Sequence, residues 1–348
     1  AAIRIAGENI VVRNNRIIGS IDFYGDSTNV TIESNKITAS RMYIAMEIRD
    51  KDMEDIVIRN NEMYNGSIVV REDDLSDLAQ YTVTGNTING LAVLWWVSET
   101  LKTIENTNYG ELILAHSINI TIRNVTTYGI NLVDCGNISI ENVISTSAHM
   151  GLFIDSTAGG QILIRNSSFV HNYYGAYIYD SCPVNITYSS FALNDRYGLY
   201  DTNTPMTIHY STFTKNKDVG LYCGDTNINA SHNWWGSPLG PELKQTGDPF
   251  DPEELYSSTY IKYEPYLSEP IVLPDTQPPE ITNVSPSNGT IVNGTFMIYV
   301  NATDDMGIDR IEIYVDNIAK ALLRLPPYRT LCELTEEGNH TISCLLYT

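Results

Sequence analysis

A short phrase of alternating apolar and polar positions returns throughout the first two-thirds of the chain. An apolar residue and a spacer are followed by a small polar pair, a second spacer and another apolar residue, as in "VRNNRI" from Val12. The phrase begins at Val12, Ile32, Ile58, Val83, Ile122, Ile140, Ile164, Ile186, Ile208 and Ala230. The starts are 18–26 residues apart, except for one interval of 39 residues after Val83. A period of this length without helical periodicity predicts a β-solenoid, because stacked coils together bury the apolar face that one coil exposes.

The residue types in the phrase fit a stack of about ten such coils. Asn tolerates the left-handed backbone conformation and hydrogen-bonds to nearby backbone, so it suits a tight turn that recurs in every coil. Stacked in register, these Asn side chains are expected to hydrogen-bond to one another along the stack, as in cross-β ladders. The Ile, Phe and Tyr residues at alternate positions are predicted to fill the interior.

This pattern resembles the repeat of the right-handed parallel β-helix superfamily, and we assign residues 1–236 to it. The resemblance implies an all-β fold but does not select a function. The superfamily includes polysaccharide lyases and hydrolases, C5-epimerases, a periplasmic copper-processing subgroup, and archaeal and bacterial surface proteins. The long interval, Asn89 to Asn124, resembles the enlarged coil of the surface-protein and copper-processing branches.

The stretch "SHNWWGSPLG" falls in register as the last repeat. Trp235 takes the position of Phe213 and is predicted to lie inside, whereas Trp234 points outward or under the following segment. We interpret Trp234, Trp235 and Gly236 as a structural cap, followed by an end cap and linker at residues 237–272, because the open end of a solenoid needs covering. The alternative is that the two tryptophans form a sugar-binding platform.

Residues 273–348 resemble the immunoglobulin-like modules of prokaryotic surface proteins. An Asp-x-x-Pro-Pro leader runs from Asp275 to Pro279, and an Asp-Asp-x-Gly-Ile turn runs from Asp304 to Ile308. The resemblance implies a β-sandwich that lacks its last strand, because such a sandwich usually needs about 100 residues. Either the chain continues, or another subunit supplies the strand by β-augmentation.

The strongly acidic composition makes polyanionic partners unfavourable. The chain holds 21 Lys and Arg against 42 Asp and Glu, a formal net charge of −21, which argues against nucleic acid or an anionic membrane surface. The longest apolar run, Leu91 to Val97, is too short to span a membrane. The sequence shows neither an initiator Met nor a signal peptide, so we expect a processed chain or a piece of a longer one.

Sequons of the form N-x-Ser/Thr are far more frequent than chance predicts. The Ser and Thr content predicts about five, yet 13 of the 32 Asn residues begin one. They are Asn29, Asn65, Asn119, Asn124, Asn137, Asn166, Asn185, Asn229, Asn283, Asn288, Asn293, Asn301 and Asn339. This density predicts an exported, N-glycosylated protein. Five of them, Asn29, Asn119, Asn137, Asn185 and Asn229, are expected at comparable points of their coils, so that glycans line one edge.

The five cysteines divide into two groups. Cys332 and Cys344 flank a predicted hairpin with its turn near "EEGN", so a cross-strand disulfide between them is expected. Cys135, Cys182 and Cys223 lack metal-ligand spacing and are predicted to be small buried or turn residues.

An acidic residue recurs just after the second strand of successive coils. The residues are Asp26, Asp134, Asp155, Asp180, Asp201 and Asp225, with His116 in the same slot of the long interval. Three interpretations stay open: turn residues copied by the repeat, ligands of Ca²⁺, or acid–base groups acting on a uronic acid polymer. Lyases of the superfamily pair a Ca²⁺ cluster with a basic residue, for which Arg196, Lys215 and Lys217 are candidates.

Other candidate groups are aromatic or imidazole side chains. Tyrosine rows such as "NYYGAYIYD" stack sugars, form protein interfaces or fill interiors. His209 and His232 lie at nearly equivalent positions of neighbouring coils, but the six His residues show no cluster suited to copper.

Calcium is the one cofactor that the sequence suggests. In the C-terminal module, Asp304, Asp305 and Asp309 are candidates to share a Ca²⁺ ion with Asp275 across the linker.

Together these features predict an exported, N-glycosylated structural or adhesive protein, extracellular and at the cell surface. Its expected partners are N-linked glycans, further copies of itself or other surface proteins, and polysaccharide. Head-to-tail contacts of a rod do not close, so a filament or lattice is a further expectation. The alternatives are a lyase or epimerase acting on acidic polysaccharide and a non-catalytic glycan-binding protein. The sequons combined with β-helix modules resemble archaeal cell-surface proteins.

Overall fold

The computed structural model describes residues 3–40, 43–48, 53–70, 78, 80–155, 159–224, 226–243, 254–257, 261–271, 280–303, 310–323, 328–334 and 337–347. The regular elements in these residues are almost all β-strands, which confirms the all-β class. The chain divides into two compact units, 1–271 and 272–348. In the described ranges, no helix is both long enough and apolar enough to cross a membrane.

The first unit begins with a stack of parallel strands that we call the N-terminal segment, residues 3–88. Its strands are β1 (Ile3–Arg13), β2 (Arg16–Ile18), β3 (Ile21–Glu33), β4 (Lys36–Thr38), β5 (Ile44–Ile48), β6 (Met53–Arg59), β7 (Glu62–Tyr64), β8 (Ser67–Val70), β9 (Thr82–Thr84) and β10 (Thr87–Ile88). Val12 pairs with Ile32, Ile32 with Ile58, and Ile58 with Val83. The register predicted from the repeated phrase is therefore confirmed in this segment.

The strand direction reverses at Asn89 and Gly90. Both residues have positive φ, 48° and 85°, which a type I′ turn requires and which the Asn-Gly pair adopts most readily. As a result, β10 pairs antiparallel with β11 (Leu91–Val97). The enlarged coil predicted for this interval is wrong, because the interval holds this hairpin and a further coil. The phrase of that coil, "IENTNY", starts at Ile104, which pairs in register with Ile122.

The parallel stack then resumes as the main segment, residues 91–236. After β11 its strands are β12 (Thr100–Tyr109), β13 (Glu111–Ala115), β14 (Ile118–Thr127), β15 (Ile130–Val133), β16 (Gly136–Thr146), β17 (Met150–Asp155), β18 (Ile162–Arg165), β19 (Ser168–Val170), β20 (Tyr174–Tyr179), β21 (Val184–Thr187), β22 (Ser190–Ala192), β23 (Tyr197–Thr202), β24 (Met206–His209), β25 (Thr212–Thr214), β26 (Val219–Cys223) and β27 (Ile228–Asn229). Ile140, Ile164, Ile186 and Ile208 follow Ile122 in one register. The whole is a β-solenoid of about nine turns.

Columns of like side chains fill the interior of the main segment. Phe169 stacks on Phe191 and Phe191 on Phe213, with ring centroids 5.3 Å apart in both pairs, close to the strand spacing of about 4.8 Å. Trp235 adds a last ring 4.9 Å from Phe213 and is 1 % exposed. Trp234 is half-buried and bridges to Thr212.

The chain then returns over the end of this stack. Three short strands follow, β28 (Glu242–Leu243), β29 (Glu254–Ser257) and β30 (Ile261–Lys262). β29 pairs with β26 and β30 with β27, and the side chains of Tyr263 and Tyr266 pack against the core. These pairings occupy backbone groups that the last coil would otherwise present as an open edge.

The small polar pair of the repeated phrase builds one turn of each coil. Its first residue takes a positive φ, as Asn60 does at 55°. Where its second residue is Asn or Ser, the side chain turns inward and accepts a hydrogen bond from the backbone N–H of its counterpart one coil earlier. In the coils that start at Ile122 and Ile140 the position is Val125 and Val143, which pair within β14 and β16 instead. Asn35 donates to Asn61 Oδ1 and Asn61 donates to Asn86 Oδ1, both at 3.0 Å. The same pattern continues through Ser167, Ser189, Ser211 and Asn233.

A second turn of the main segment also uses inward side chains to accept hydrogen bonds from the backbone of the coil before. The backbone N–H of Asn172 donates to Asn194 Oδ1 at 3.0 Å, and that of Asn194 donates to Asn216 Oδ1 at 3.1 Å. Asn194 Nδ2 donates inward to the Phe169 carbonyl at 3.1 Å. We call these stacked inward side chains the buried ladders. They satisfy turn backbone groups that water cannot reach, and the predicted hydrogen bonding of Asn along the stack is confirmed.

The second unit is a pair of antiparallel sheets. Its strands are β31 (Glu280–Ser285), β32 (Thr295–Thr303), β33 (Arg310–Val315), β34 (Ile318–Leu323), β35 (Tyr328–Glu333) and β36 (Ile342–Tyr347). One sheet has the order β31-β32-β35 and the other β34-β33-β36. Ile298, Val300, Ile311 and Ile313 form the core. The arrangement agrees with an immunoglobulin-like fold.

The hairpin predicted between Cys332 and Cys344 is wrong. β35 carries Cys332 and pairs with β32, whereas β36 carries Cys344 and pairs with β33 in the other sheet. The connection around "EEGN" crosses between sheets, so it cannot place the two residues in a cross-strand pair. Both thiols are free, and both side chains pack in the same core.

The buried ladders predict a large difference between two Asn→Ala substitutions. Asn194→Ala leaves the Asn172 N–H and the Phe169 carbonyl buried without their partner, so we expect the free energy of unfolding to fall by about 3 kcal/mol. Asn227→Ala, at an exposed position, is the control and should change it by less than about 0.5 kcal/mol. Urea denaturation followed by circular dichroism measures both, and equal losses would contradict the role of the ladder.

Candidate functional site

Aromatic rings are concentrated on the outer face of β17, β20, β23 and β26. Phe153, Tyr177, Tyr200 and Tyr222 occupy one register across these strands, and we call them the aromatic ladder. Their centroids are 6.0, 4.8 and 4.4 Å apart in turn. Side chains alternate between the two faces of a strand, so a repeat that keeps Tyr at one outward position stacks the rings.

The rings of the aromatic ladder use their faces on one another. Tyr177 and Tyr200 are 18° from parallel, and Tyr200 and Tyr222 are 4° from parallel. A sugar stacks on a free ring face, whereas this ladder presents ring edges and hydroxyl groups. Burial, helped by Tyr177 and Tyr222, raises the pKa of Tyr200, so its hydroxyl stays neutral. This geometry fits packing or protein contact better than a sugar platform.

Arg196 lies beside the aromatic ladder and is held by three neighbours. Its guanidinium lies 5.0 Å from the centroid of the Tyr197 ring. It donates to the Tyr174 hydroxyl at 2.7 Å and to Asp218 Oδ2 at 3.1 Å. Burial acts to lower the pKa of Arg196, but the neighbouring Tyr174 and Tyr197 outweigh it and raise the pKa. Arg196 is thus a permanent positive charge, which does not suit proton abstraction.

The two lysines predicted as alternatives to Arg196 lie in different environments. Lys217 forms an ion pair with Asp195. Lys215 is exposed at a turn with a φ of 56°. Asp195 also accepts a hydrogen bond from the Tyr43 hydroxyl at 3.1 Å, and burial together with Asp195 raises the pKa of that hydroxyl. Of the two lysines, Lys217 is therefore the one in an ion pair with Asp195, and Lys215 is an exposed turn residue.

Tyr43 belongs to the N-terminal segment, so its bond to Asp195 joins the two segments. Two further contacts do the same. The backbone N–H of His149 donates to Ser67 Oγ at 3.3 Å, and that of Ile68 donates to Glu111 Oε2 at 2.6 Å. We call this set of contacts the segment junction.

Glu111 is the buried charge-bearing group of the segment junction and is 1 % exposed. Asn131 Nδ2 donates to its Oε1 at 2.9 Å. Burial raises the pKa of Glu111 to about 8, because the loss of water outweighs the stabilising hydrogen bonds from Ile68 and Asn131. Glu111 lies outside the repeated phrase and was not among the predicted site residues, although a Glu at the start of the otherwise apolar strand "ELILA" is a visible signal in the sequence.

The acidic residues after the second strands form no single column. Asp134, Asp180 and His116 occupy a turn position with φ of 47°, 42° and 49°, and His116 Nδ1 lies 2.9 Å from Asp134 Oδ2. Asp155 pairs with Tyr179, one residue before that position. The interpretation as turn residues therefore fits Asp134 and Asp180, whereas Asp155 lies within β17.

Asp26 and Asp201 are also displaced from that turn. Asp26 is exposed in the N-terminal segment. Asp201 pairs with Ile178 and Cys223 and is fully buried. Burial raises its pKa to about 7.

The calcium ligands predicted in the C-terminal module, Asp275, Asp304, Asp305 and Asp309, lie outside the described residues, as does Asp225. Elsewhere in the chain, the described residues hold no group of three or more His, Cys, Asp or Glu that would bind a metal ion. His209 Nδ1 lies 2.7 Å from the Ser231 carbonyl, and the His209 and His232 rings are 6.0 Å apart. Cys135, Cys182 and Cys223 are buried thiols, as predicted.

The asparagines separate into two groups. All thirteen sequon Asn residues are exposed or half-exposed. The buried Asn residues begin no sequon; they are Asn35, Asn61, Asn86, Asn131, Asn172, Asn194, Asn216 and Asn233.

The sequons of the solenoid do not share one position in the coil, so the prediction of a single edge is wrong. Asn29, Asn119 and Asn137 take positive φ between 54° and 57° ahead of a strand core. Asn185 and Asn229 lie within β21 and β27, two residues further along the coil than the position that Asn137 occupies. These two face a shallow cleft of about 440 Å³ on the outer face of their sheet.

Glu111 predicts a pH-dependent contribution to stability. Its folded pKa, about 8, is raised above the ordinary value of 4.5, so the folded state holds a proton that the unfolded state loses. The contribution of Glu111 to the free energy of unfolding therefore falls as pH rises from about 4.5 to about 8, by up to about 5 kcal/mol.

The test compares wild type with Glu111→Gln. The variant should be more stable than wild type at pH 8.5 and show little of that gain at pH 5, measured by urea denaturation. Glu105→Gln, at a partly exposed ion pair with Arg123, is the control and should show no gain that grows with pH. A Glu111→Gln difference that is the same at both pH values would contradict the assignment.

Comparison with known protein families agrees with this architecture. Residues 103–236 match the family model described as a right handed beta helix region, and residues 279–343 match that of a bacterial Ig domain. No curated protein and no solved structure matches the chain. The chain therefore combines a β-solenoid that matches a right-handed β-helix region with a C-terminal immunoglobulin-like module that matches a bacterial Ig domain.

Proposed function

We propose that this protein is an exported, N-glycosylated structural protein of the cell surface. The observation that carries the proposal is the separation of its asparagines: all thirteen sequon Asn residues are accessible, and the eight buried ones begin no sequon. An incidental origin in the coil repeat does not account for Asn283, Asn288, Asn293, Asn301 and Asn339, which lie in the Ig module. β-Helix and bacterial Ig domains fit a surface or carbohydrate-associated protein.

The structural role follows from how the solenoid is built. Backbone hydrogen bonds run from coil to coil along the stack, and the buried ladders fix its turns, so the solenoid is a stiff support for surface groups. Its accessible side chains include eight of the sequon Asn residues and the three half-exposed tyrosines of the aromatic ladder, which suit glycans and protein contacts. Further copies of the chain are the partners we favour. In the described part of the second unit, β31, β34, β35 and β36 each pair on one side alone, and the free edge of β36 would accept a strand from another subunit.

A lyase or epimerase acting on acidic polysaccharide has less support. Arg196 is held by Tyr174, Tyr197 and Asp218 in a form that does not release its proton. Lys217 is paired with Asp195. A glycan-binding role is also less favoured, because the ring faces of the aromatic ladder are occupied by one another.

Glycopeptide mass spectrometry of the protein isolated from its native host tests the proposal. We expect sugar on several of the thirteen sequon residues and none on Asn227, an exposed Asn that begins no sequon. If none of the thirteen sequon residues carried a sugar, the proposal would be contradicted.

Negative-stain electron microscopy of the same material tests assembly. The proposal predicts filaments or a lattice, and truncation before β36 should abolish them if the free edge makes the joint. Dispersed single molecules at high protein concentration would contradict self-assembly but would leave the proposed glycosylation untouched.

A further inference from the structure

We propose that two pairs of sequons are mutually exclusive, so that one Asn of each pair carries a glycan in any one molecule. The pairs are Asn119 with Asn137 and Asn283 with Asn301. The inference rests on the proposed N-glycosylation and adds a rule for its occupancy: at most eleven of the thirteen sites are filled together.

The first pair consists of neighbours in adjacent coils. Ile118 pairs with Gly136 and Ile120 with Ile138, which places Asn119 directly beside Asn137 at the strand spacing of about 4.8 Å. Both residues are exposed, and both have the same positive φ, 57° and 54°. Their side chains therefore leave the coil in the same direction.

A hydrogen bond makes the conflict specific. Asn137 Nδ2 donates to Asn119 Oδ1 at 3.2 Å, and this nitrogen is the atom to which an N-linked sugar is attached. A sugar on Asn137 is thus joined next to the side chain of Asn119. A second sugar on Asn119 would occupy the same space. The first sugar ring of an N-glycan, with its substituents, is wider than the distance between neighbouring strands, and the glycan beyond it is bulky. The backbone cannot spread to make room, since strands β14 and β16 are hydrogen-bonded on both sides of the pair.

The second pair consists of neighbours across two antiparallel strands of the Ig module. Asn283 on β31 is the direct antiparallel partner of Asn301 on β32. Directly opposed residues point to the same face, with Cβ atoms about 4.5–5.5 Å apart. Both Asn residues are exposed, so two glycans would again leave one point of the surface.

A third pair serves as an internal control. Asn185 pairs with Thr207, and Thr207 pairs with Asn229. The two Asn residues therefore share a register but lie two strand spacings apart, about 9.6 Å. Thr207 separates them, and both can carry a glycan in one molecule.

Site-resolved glycopeptide mass spectrometry of the folded protein from a glycosylating host tests the rule. The occupied fractions of Asn119 and Asn137 should sum to no more than one, whereas those of Asn185 and Asn229 are free to exceed one. The tryptic peptide from Tyr263 to Arg310 holds four sequons and should carry at most three glycans. Sugars added before folding give the same result, because doubly modified chains could not close the strand pair and would be missing from the folded protein.

Matched variants make the test independent of overall occupancy. Thr121→Val removes the sequon of Asn119 but keeps Asn119 and a β-branched residue at a half-exposed strand position. It should raise the occupancy of Asn137 by the fraction previously found on Asn119, and Ser139→Ala should do the reverse. Thr187→Val, which removes the sequon of Asn185, should leave Asn229 unchanged.

The possible failures are distinguishable. Four glycans on the Tyr263–Arg310 peptide, summed fractions above one for Asn119 and Asn137, or no response of Asn137 to Thr121→Val would each overturn the exclusion rule and leave the proposed function intact. Absence of sugar at all thirteen sites would overturn the proposed function, and this inference with it.

Discussion

The turns at the inward Asn and Ser positions bury backbone N–H groups that no strand pairs, and the solenoid depends on satisfying them. The chain does so with inward side chains that bond to the coil before them, as Asn61 does to Asn35 and Asn194 does to Asn172. An unpaired buried group costs about 1–3 kcal/mol, so removing a ladder side chain leaves a turn with that penalty. This requirement explains why Asn or Ser recurs at these positions. Three coils have no Asn or Ser side chain at the first turn, because Thr107, Val125 and Val143 hold the position there and pair within β12, β14 and β16.

The same register sets the chemistry of the surface. Once the ladders hold coils at one spacing, each outward position becomes a column with members about 4.8 Å apart. Tyr at such a position produces the aromatic ladder, and Asn produces neighbouring sequons such as Asn119 and Asn137. Phe at an inward position produces the column that Trp235 ends. Buried stacks and surface pairs are therefore two results of one periodic constraint.

Much of the solenoid could be predicted from sequence because its contacts join equivalent positions of neighbouring repeats. The phrase starts are paired in register from Ile104 to Ile208. The reversal at Asn89 and Gly90 was missed although the Asn-Gly signal was present, because resemblance to an enlarged coil took precedence over local turn chemistry. The hairpin between Cys332 and Cys344 was wrong, and Glu111 was overlooked, because both depend on contacts between elements distant in the chain, which periodicity does not encode.

The central claim is that buried side chains satisfy the turn backbone, and amide hydrogen exchange tests it most directly. The backbone amides of Asn35, Asn61, Asn172 and Asn194 donate to ladder side chains and should exchange as slowly as amides within β16 and β18. Exchange at the rate of an unstructured peptide would show that these groups reach water, and would contradict the account.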